Sequence, residues 1–285
     1  METSIRQLPV LPLRGLTAFP EMLIHFDVGR VMSIKALESA MKDGQMIFLT
    51  AQKDLKTDIP ESSGLYEVGT VCKVKQILRM PGDNIRVLVE GQMRARALEF
   101  IESGDNCLFA RIELLEDQET TTATRRIQAL VRTVQEHFEQ YADLAPRLSN
   151  DVIMAVAEGG RPGYLADFIV QNINVDFDVK QEILEELNVV RRLMMVVRLL
   201  SDENEILRIE SDIQDQLKNQ LDKNQREYYL REQIKVIQTE LGEQDVVAEC
   251  AEYRDRIDTM ELPEEASERL HKEVDRLEKM SSMSA

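Results

Sequence analysis

No tryptophan occurs in this 285-residue chain, and aromatic residues make up only 5% of it, while 31% of positions are charged. That balance points to much solvated helix. Cysteine is scarce too: Cys72, Cys107 and Cys250 are far apart, odd in number and form no CxxC pair. A disulfide framework and a structural zinc site are both excluded on that count, and a reducing cytoplasm is the expected compartment. Positive charge is in deficit. With 35 basic against 52 acidic residues the net charge is −17, which argues against partners that bind through phosphates, nucleic acid or an anionic membrane. No apolar run reaches transmembrane length; the longest candidate, "LMMVVRLL" at 193–200, contains Arg198. The N-terminus has no basic region followed by an unbroken apolar core, so no signal peptide is expected.

Catalytic patterns are missing as well. There is no Gly-rich phosphate loop ending in Lys and Ser or Thr, no GxSxG elbow and no HExxH helix. His25, His137 and His271 do not stand at ligand spacing from one another. The many carboxylates, as in "EILEEL" and "MELPEEASE", read as solvated helix faces, because acid–base work needs a cleft that moves their pKa values. No cofactor or metal is expected for the chain itself. Internal repeats and low-complexity tracts are also missing.

What is present changes character near residue 118, and the length accommodates two domains. Before it, short apolar runs alternate with Gly and Pro. "LPVLPLR", "EMLIHFDV", "QMIFLTAQ", "EVGTVCKVKQIL", "NIRVLVEGQMRARALEF" and "CLFARIELLE" read as six strands, with "MPGDN" as a turn. One helix, "IKALESAMKD", interrupts them, with Ser33 as its cap and Gly44 as its stop. After 118 the period becomes helical: Ile127, Leu130, Val131, Val134 and Phe138 recur three and four apart. Short helices follow at "SNDVIMAVAEGG", "GYLADFIVQNI" and "DVKQEILEEL", the last with Asp178 as cap.

From Tyr164 to Leu241 there is neither Gly nor Pro. Asn188 can cap a helix running to Gly242, which at ~1.5 Å per residue would reach roughly 80 Å; alternatively "SDEN" at 201–204 restarts a second helix. Ile206, Ile209, Ile213, Leu217 and Leu221 form a narrow apolar stripe, and Leu230, Ile234, Ile237 and Leu241 resume it. A seam one residue wide suits a coiled-coil contact better than a globular core. The remainder reads as two helices split at Pro263, the second leaning on the first through Leu270, Val274 and Leu277. The expected organisation is therefore a β-rich domain (1–118), a helical domain (119–187), a long helix (188–242) and a helical hairpin (243–285).

Two surface features stand out. The strand alternation puts Leu23 beside His25 and Asp27, and Leu88 beside Arg86, on faces that should be polar. Met80 and Pro81 add apolar surface at the turn apex. Leu23, His25, Met80, Pro81 and Leu88 are thus candidates for a shallow patch that binds exposed apolar segments of other proteins. The plainer alternative is that a small barrel or the helices cover both faces. The second feature is the pair Tyr228–Tyr229, followed by Leu230. Adjacent helical residues point about 100° apart, so one stripe cannot hold both rings. At least one ring is expected to face a neighbouring subunit or a client chain.

Longer stretches carry a resemblance. "LPVLPLRGLTAFPEM", "VGRVMSIKALESAM", "LYEVGTVCKVKQILRMPGDNIRVLVEGQMRARALEF" and above all "KNQREYYLREQIKVIQTELGE" resemble the N-terminal region of Lon, the ATP-dependent protease. "LHKEVDRLEKMSSMSA" is similar to the stretch just before the ATPase module of that family. The resemblance implies an α+β fold: a PUA-like β-domain, then an α-helical domain and a very long helix with coiled-coil character. It implies a cytoplasmic homohexamer that unfolds damaged proteins with ATP and Mg and cuts them with a Ser–Lys dyad. The phosphate loop and the dyad match no residue here and are expected beyond Ala285. This chain would then recruit unfolded or damaged protein substrates and organise the hexamer, without ATPase or peptidase activity of its own. A second possibility is a purely structural oligomerisation module. A third, a small-molecule reader, lacks any convergent polar constellation.

Overall fold

The computed structural model describes residues 5–79, 85–103, 107–118, 124–145, 148–240, 243–260 and 262–278. All six expected strands form: β1 (Ile5–Leu13), β2 (Leu23–Val28), β3 (Met46–Ala51), β4 (Val68–Arg79), β5 (Ile85–Ser103) and β6 (Cys107–Leu115). They lie in the order β2-β5-β4-β3-β1-β6, and a further β5–β6 pairing closes the last five into a ring. Closure removes most of the edges that an open sheet would leave. The 19-residue β5 makes it possible. Its first half pairs with β2 and β4, and its second half with β6. Among the described strands only β1 and β3 run parallel to each other. The helix α1 (Val31–Lys42) lies between β2 and β3 in sequence.

Alternation decides which way each side chain goes. In β3, Ile47 and Leu49 join one buried cluster with Leu11, Phe26, Val74, Val87 and Val89, and α1 adds Ala36, Leu37 and Ala40 to it. The intervening Phe48 joins the other, with Val10, Leu65, Ala95 and Ile112. Gly91 is required where the chain crosses β5. A Cβ there would stand 2.1 Å from the Phe19 carbonyl oxygen, a distance no side chain tolerates. Instead Gly91 N–H donates to the Met22 carbonyl (2.9 Å), and Glu21 N–H donates to that of Gly91 (2.9 Å).

Four short helices follow: α2 (Thr124–Leu144), α3 (Asn150–Glu158), α4 (Pro162–Asn172) and α5 (Phe177–Glu185). Then comes α6 (Val189–Glu240), a single helix of 52 residues. Val134, Phe138, Val156, Leu165, Ile169, Leu193, Val196 and Leu200 form the helical core, and Phe19, Met22 and Val68 from the strand region enter it. Strands and short helices therefore share one core and belong to one compact unit, residues 1–209; residues 210–285 form a second.

A buried ionic cluster reinforces that junction. Arg94 on β5 donates through Nη2 to Asp167 on α4 at 2.7 Å, and through Nε to the Leu184 carbonyl at 2.9 Å. Arg192, in the first turn of α6 and fully buried, donates to Asp117 and to Asp167. Burial raises the Asp167 carboxyl above the usual range, and the two guanidiniums oppose that shift. Gly163 makes the space. A Cβ there would lie 2.5 Å from Asp117 Oδ2 and 3.3 Å from Arg192 Nη1.

Helix boundaries differ from the sequence reading in two places. Ser33 lies inside α1, buried, and Arg30 is the N-cap residue. Asp178 lies in the first turn of α5, behind the cap Asp176. An arginine takes the α1 cap because its guanidinium is tied down elsewhere, donating to the Pro12 carbonyl, the Asp58 carbonyl and Gln52 Oε1. Asn188 caps α6 as read, its Oδ1 accepting from Arg191 N–H at 3.1 Å. "SDEN" does not interrupt α6: Asn204 is buried and donates to the His137 carbonyl at 3.0 Å, so packing on α2 offsets its modest helix propensity.

In the second unit, α7 (Glu243–Thr259) and α8 (Glu264–Glu278) form the hairpin around Cys250, Ile257 and Val274, with Leu262 and Leu277 against them. Arg254 clamps it from outside, reaching Asp275 at 2.8 Å and Glu278. Leu270 stays exposed rather than joining that contact.

Candidate functional site

The outward face of β2, β5 and β4 is where the candidate residues meet. β2 runs antiparallel to β5 with Leu23 opposite Glu90, His25 opposite Leu88 and Asp27 opposite Arg86. On the other side of β5, Gln76 stands opposite Leu88 and Leu78 opposite Arg86. Because side chains alternate along strands, these residues share one face, while Phe26, Val28, Val87 and Val89 point into the core. Leu23, Leu88 and Leu78 then fall on a diagonal across three strands, at the ~7–8 Å spacing of diagonal neighbours. Leu23 is 63% exposed and Leu78 48%, and Leu88 is half-buried. His25 is exposed between them.

Ion pairs frame the leucines. Arg86 holds Asp27 with two bonds, Nε to Oδ1 at 2.7 Å and Nη2 to Oδ2 at 2.9 Å. Lys75 reaches Glu90 at 2.8 Å. The Arg86 hydrogen bond lowers the Asp27 carboxyl below the usual carboxylate range, and Lys75 does the same to Glu90. Asp27, Arg86, Lys75 and Glu90 are therefore engaged with one another around the leucines.

Leu23, His25 and Leu88 are thus brought together. Met80 and Pro81 lie outside the described residues. Leu78 was not singled out from the sequence, and the reason is a β-bulge: the β4–β5 register shifts between Val74 and Gln76. Strict alternation from the buried Val74 would turn Leu78 inward. The extra residue reverses the phase, so Ile77 packs in the core and Leu78 faces out.

The long-helix candidates have a different setting. Ile206, Ile209, Ile213, Leu217, Leu221, Leu230, Ile234 and Ile237 are all exposed, and so are Tyr228 and Tyr229. The Tyr229 hydroxyl accepts from Gln233 Nε2 at 3.0 Å. Leu241 lies outside the described residues.

All three cysteines are buried, and burial pushes the Cys72 thiol far up, so it is no nucleophile. Among the described residues no cluster of His, Cys, Asp or Glu could hold a metal ion. No described helix is long and apolar enough to cross a membrane. On the β2–β5–β4 face, Leu23 and Leu78 and the half-buried Leu88 present apolar area to solvent.

Comparison with known proteins gives the family. The family model for the ATP-dependent protease La (LON) substrate-binding domain matches residues 7–202. A Lon protease of Clostridioides difficile (strain 630) is 43% identical over 98% of this chain, and one of Bacillus thuringiensis (strain Al Hakam) is 42% identical over all of it. In each case the chain spans 36% of the relative's length. Among solved structures, the N-terminal domain of a Mycobacterium avium complex Lon protease superposes with a TM-score of 0.57 at 20% identity, covering 69% of this chain and 99% of that one; it shares the fold. On the match over residues 7–202, the chain belongs to the family of Lon protease substrate-binding domains.

Proposed function

We propose that the chain recruits unfolded or damaged protein substrates to an ATP-dependent Lon-type protease and helps organise its hexamer. One observation carries the reading. Three leucines lie outward on the β2–β5–β4 face, inside the residues matched by a substrate-binding family model, beside the ion pairs Arg86–Asp27 and Lys75–Glu90. Exposed apolar segments distinguish unfolded chains from folded ones, and such a face meets them without a deep pocket. Each contact is weak, because a client loses chain entropy on binding, and several copies in one assembly raise the effective affinity. ATP and Mg belong to the full-length protein, and the setting is the cytoplasm. With a net charge of −17, neither nucleic acid nor an anionic membrane is a partner. The functional division is a capturing β-domain (1–118), a helical domain (119–187), a long helix (188–242) and a hairpin (243–285).

A second reading, a structural assembly module that binds no client, is favoured by the exposed stripe on α6. One experiment separates the two. Binding is measured to a single protein in folded and permanently unfolded forms, with Leu23→Asp/Leu88→Asp alongside. The recruiting reading expects selective binding of the unfolded form, weakened about tenfold or more in the double variant, since ~1.4 kcal/mol is a factor of ten. Self-association without binding of either form supports the assembly module instead.

A further inference from the structure

The face just described ends at a strand edge, and the edge is itself a binding element. β2 hydrogen-bonds to β5 on one side, and among the described residues no strand pairs with its other side. Edge strands are ordinarily defended by Lys, Pro, bulges or inward charge. β2 reads Leu23-Ile24-His25-Phe26-Asp27-Val28, with no Lys, Pro or Gly, and its pairing with β5 has no register shift. Its one charged side chain, Asp27, is held by Arg86.

The backbone phase follows from one hydrogen bond. Gly91 N–H donates to the carbonyl of Met22, the residue that continues the β2–β5 register. In an antiparallel ladder, pairs that exchange hydrogen bonds alternate with pairs that do not. Ile24, Phe26 and Val28 therefore turn their backbone groups toward β5. Leu23, His25 and Asp27 turn their N–H and C=O groups away from it, and these three residues are the exposed ones.

We infer that an extended segment of an unfolded client adds to this edge as a further strand. This deepens the proposed recruitment and rests on it: main-chain hydrogen bonds to Leu23, His25 and Asp27 hold the client, and every second client side chain lies on the outward face beside β2, where Leu23 is the leucine within reach. Main-chain pairing ignores sequence and demands an extended, unpaired backbone, which folded proteins withhold and unfolded ones supply. It therefore gives a substrate-binding domain selectivity for the unfolded state without selectivity for one sequence. The family description favours a substrate polypeptide over a second copy of this chain as the occupant.

The test removes one outward N–H. In the 285-residue chain, His25→Pro deletes the donor, and His25→Ala deletes only the side chain. The probe is a reduced, carboxymethylated protein that cannot fold, together with 12-residue peptides from it N-methylated either at every amide or at alternate amides only. Strand addition expects His25→Pro to weaken binding at least about tenfold more than His25→Ala does. It also expects methylation of every amide to abolish peptide binding, and methylation of alternate amides, which leaves one edge of the peptide free, to preserve it. The peptide arm leaves the protein unaltered, so it decides the matter even if His25→Pro misfolds. Binding that survives methylation of every amide overturns strand addition but leaves recruitment standing. No binding of any unfolded probe overturns both. A dimer that His25→Pro dissociates assigns the edge to a second copy and overturns the proposal.

Discussion

Helix α6 is a different object in the two parts of its length. Between Val189 and Leu200 its apolar residues face several ways, and Val189, Leu193, Val196 and Leu200 are almost fully buried in the helical core. From Ile206 onward the residues are just as apolar, yet every member of the described stripe is exposed. The difference lies in the width of the pattern. A broad apolar arc can be surrounded by other helices, whereas a stripe with polar flanks can touch only one narrow partner. The phase teaches more. At 3.5 residues per turn, Ile206, Ile209 and Ile213 share a seam with Leu230, Ile234 and Ile237. Between these two groups the seam positions are Gln216, Gln220, Lys223 and Glu227. Leu217 and Leu221 step off it by four-residue intervals. The long stripe is thus two apolar blocks separated by a polar one, the pattern of contacts that are local rather than continuous.

Breaking the ionic cluster should have the largest effect on this contrast. Arg192→Ala leaves Asp167 buried with one fewer counter-charge and is expected to destabilise residues 1–209 by about 3–5 kcal/mol. Urea unfolding should show it as an early loss of the transition belonging to that unit, with the second unit unmoved. Next comes a matched pair on the same helix. Leu193→Ala empties a fully buried site and should cost about 2–5 kcal/mol. Ile213→Ala removes a similar side chain that is half exposed, and should change stability by no more than about 0.5 kcal/mol. Equal losses for the two would mean that the stripe is covered within one chain. Gly163→Ala is the smallest change. The added methyl meets Asp117 and Arg192, and crowding should outweigh the ~1 kcal/mol gain in helix propensity, for a net loss of about 1 kcal/mol in the same unfolding experiment.

Much of the fold was legible because local rules agreed with one another. Strand runs bounded by Gly and Pro gave six strands, and three-and-four spacing gave the helices, including the Asn188 cap. Long-range features were not legible. Asp167 sits in the apolar run "YLADFIV" and Arg192 in "VVRRLMM", and an isolated charge in such a run signals a buried pair. Nothing local says that their partners are each other, Arg94 and Asp117. Ser33 was chosen as a cap because Ser caps well on its own, and tertiary bonds to Arg30 decided otherwise. On the candidate face, Leu23, His25 and Leu88 followed from alternation alone. Leu78 did not, because a bulge is invisible to a period-two pattern.

The central claim is that client capture belongs to the β2–β5–β4 face and not to the stripe of α6. Hydrogen exchange of the 285-residue chain, with and without a permanently unfolded protein, tests it most directly. The account predicts slower exchange in β2 and its flanks when the client is added, with residues 210–237 unchanged. Protection confined to 210–237, with β2 exchanging as before, would contradict it.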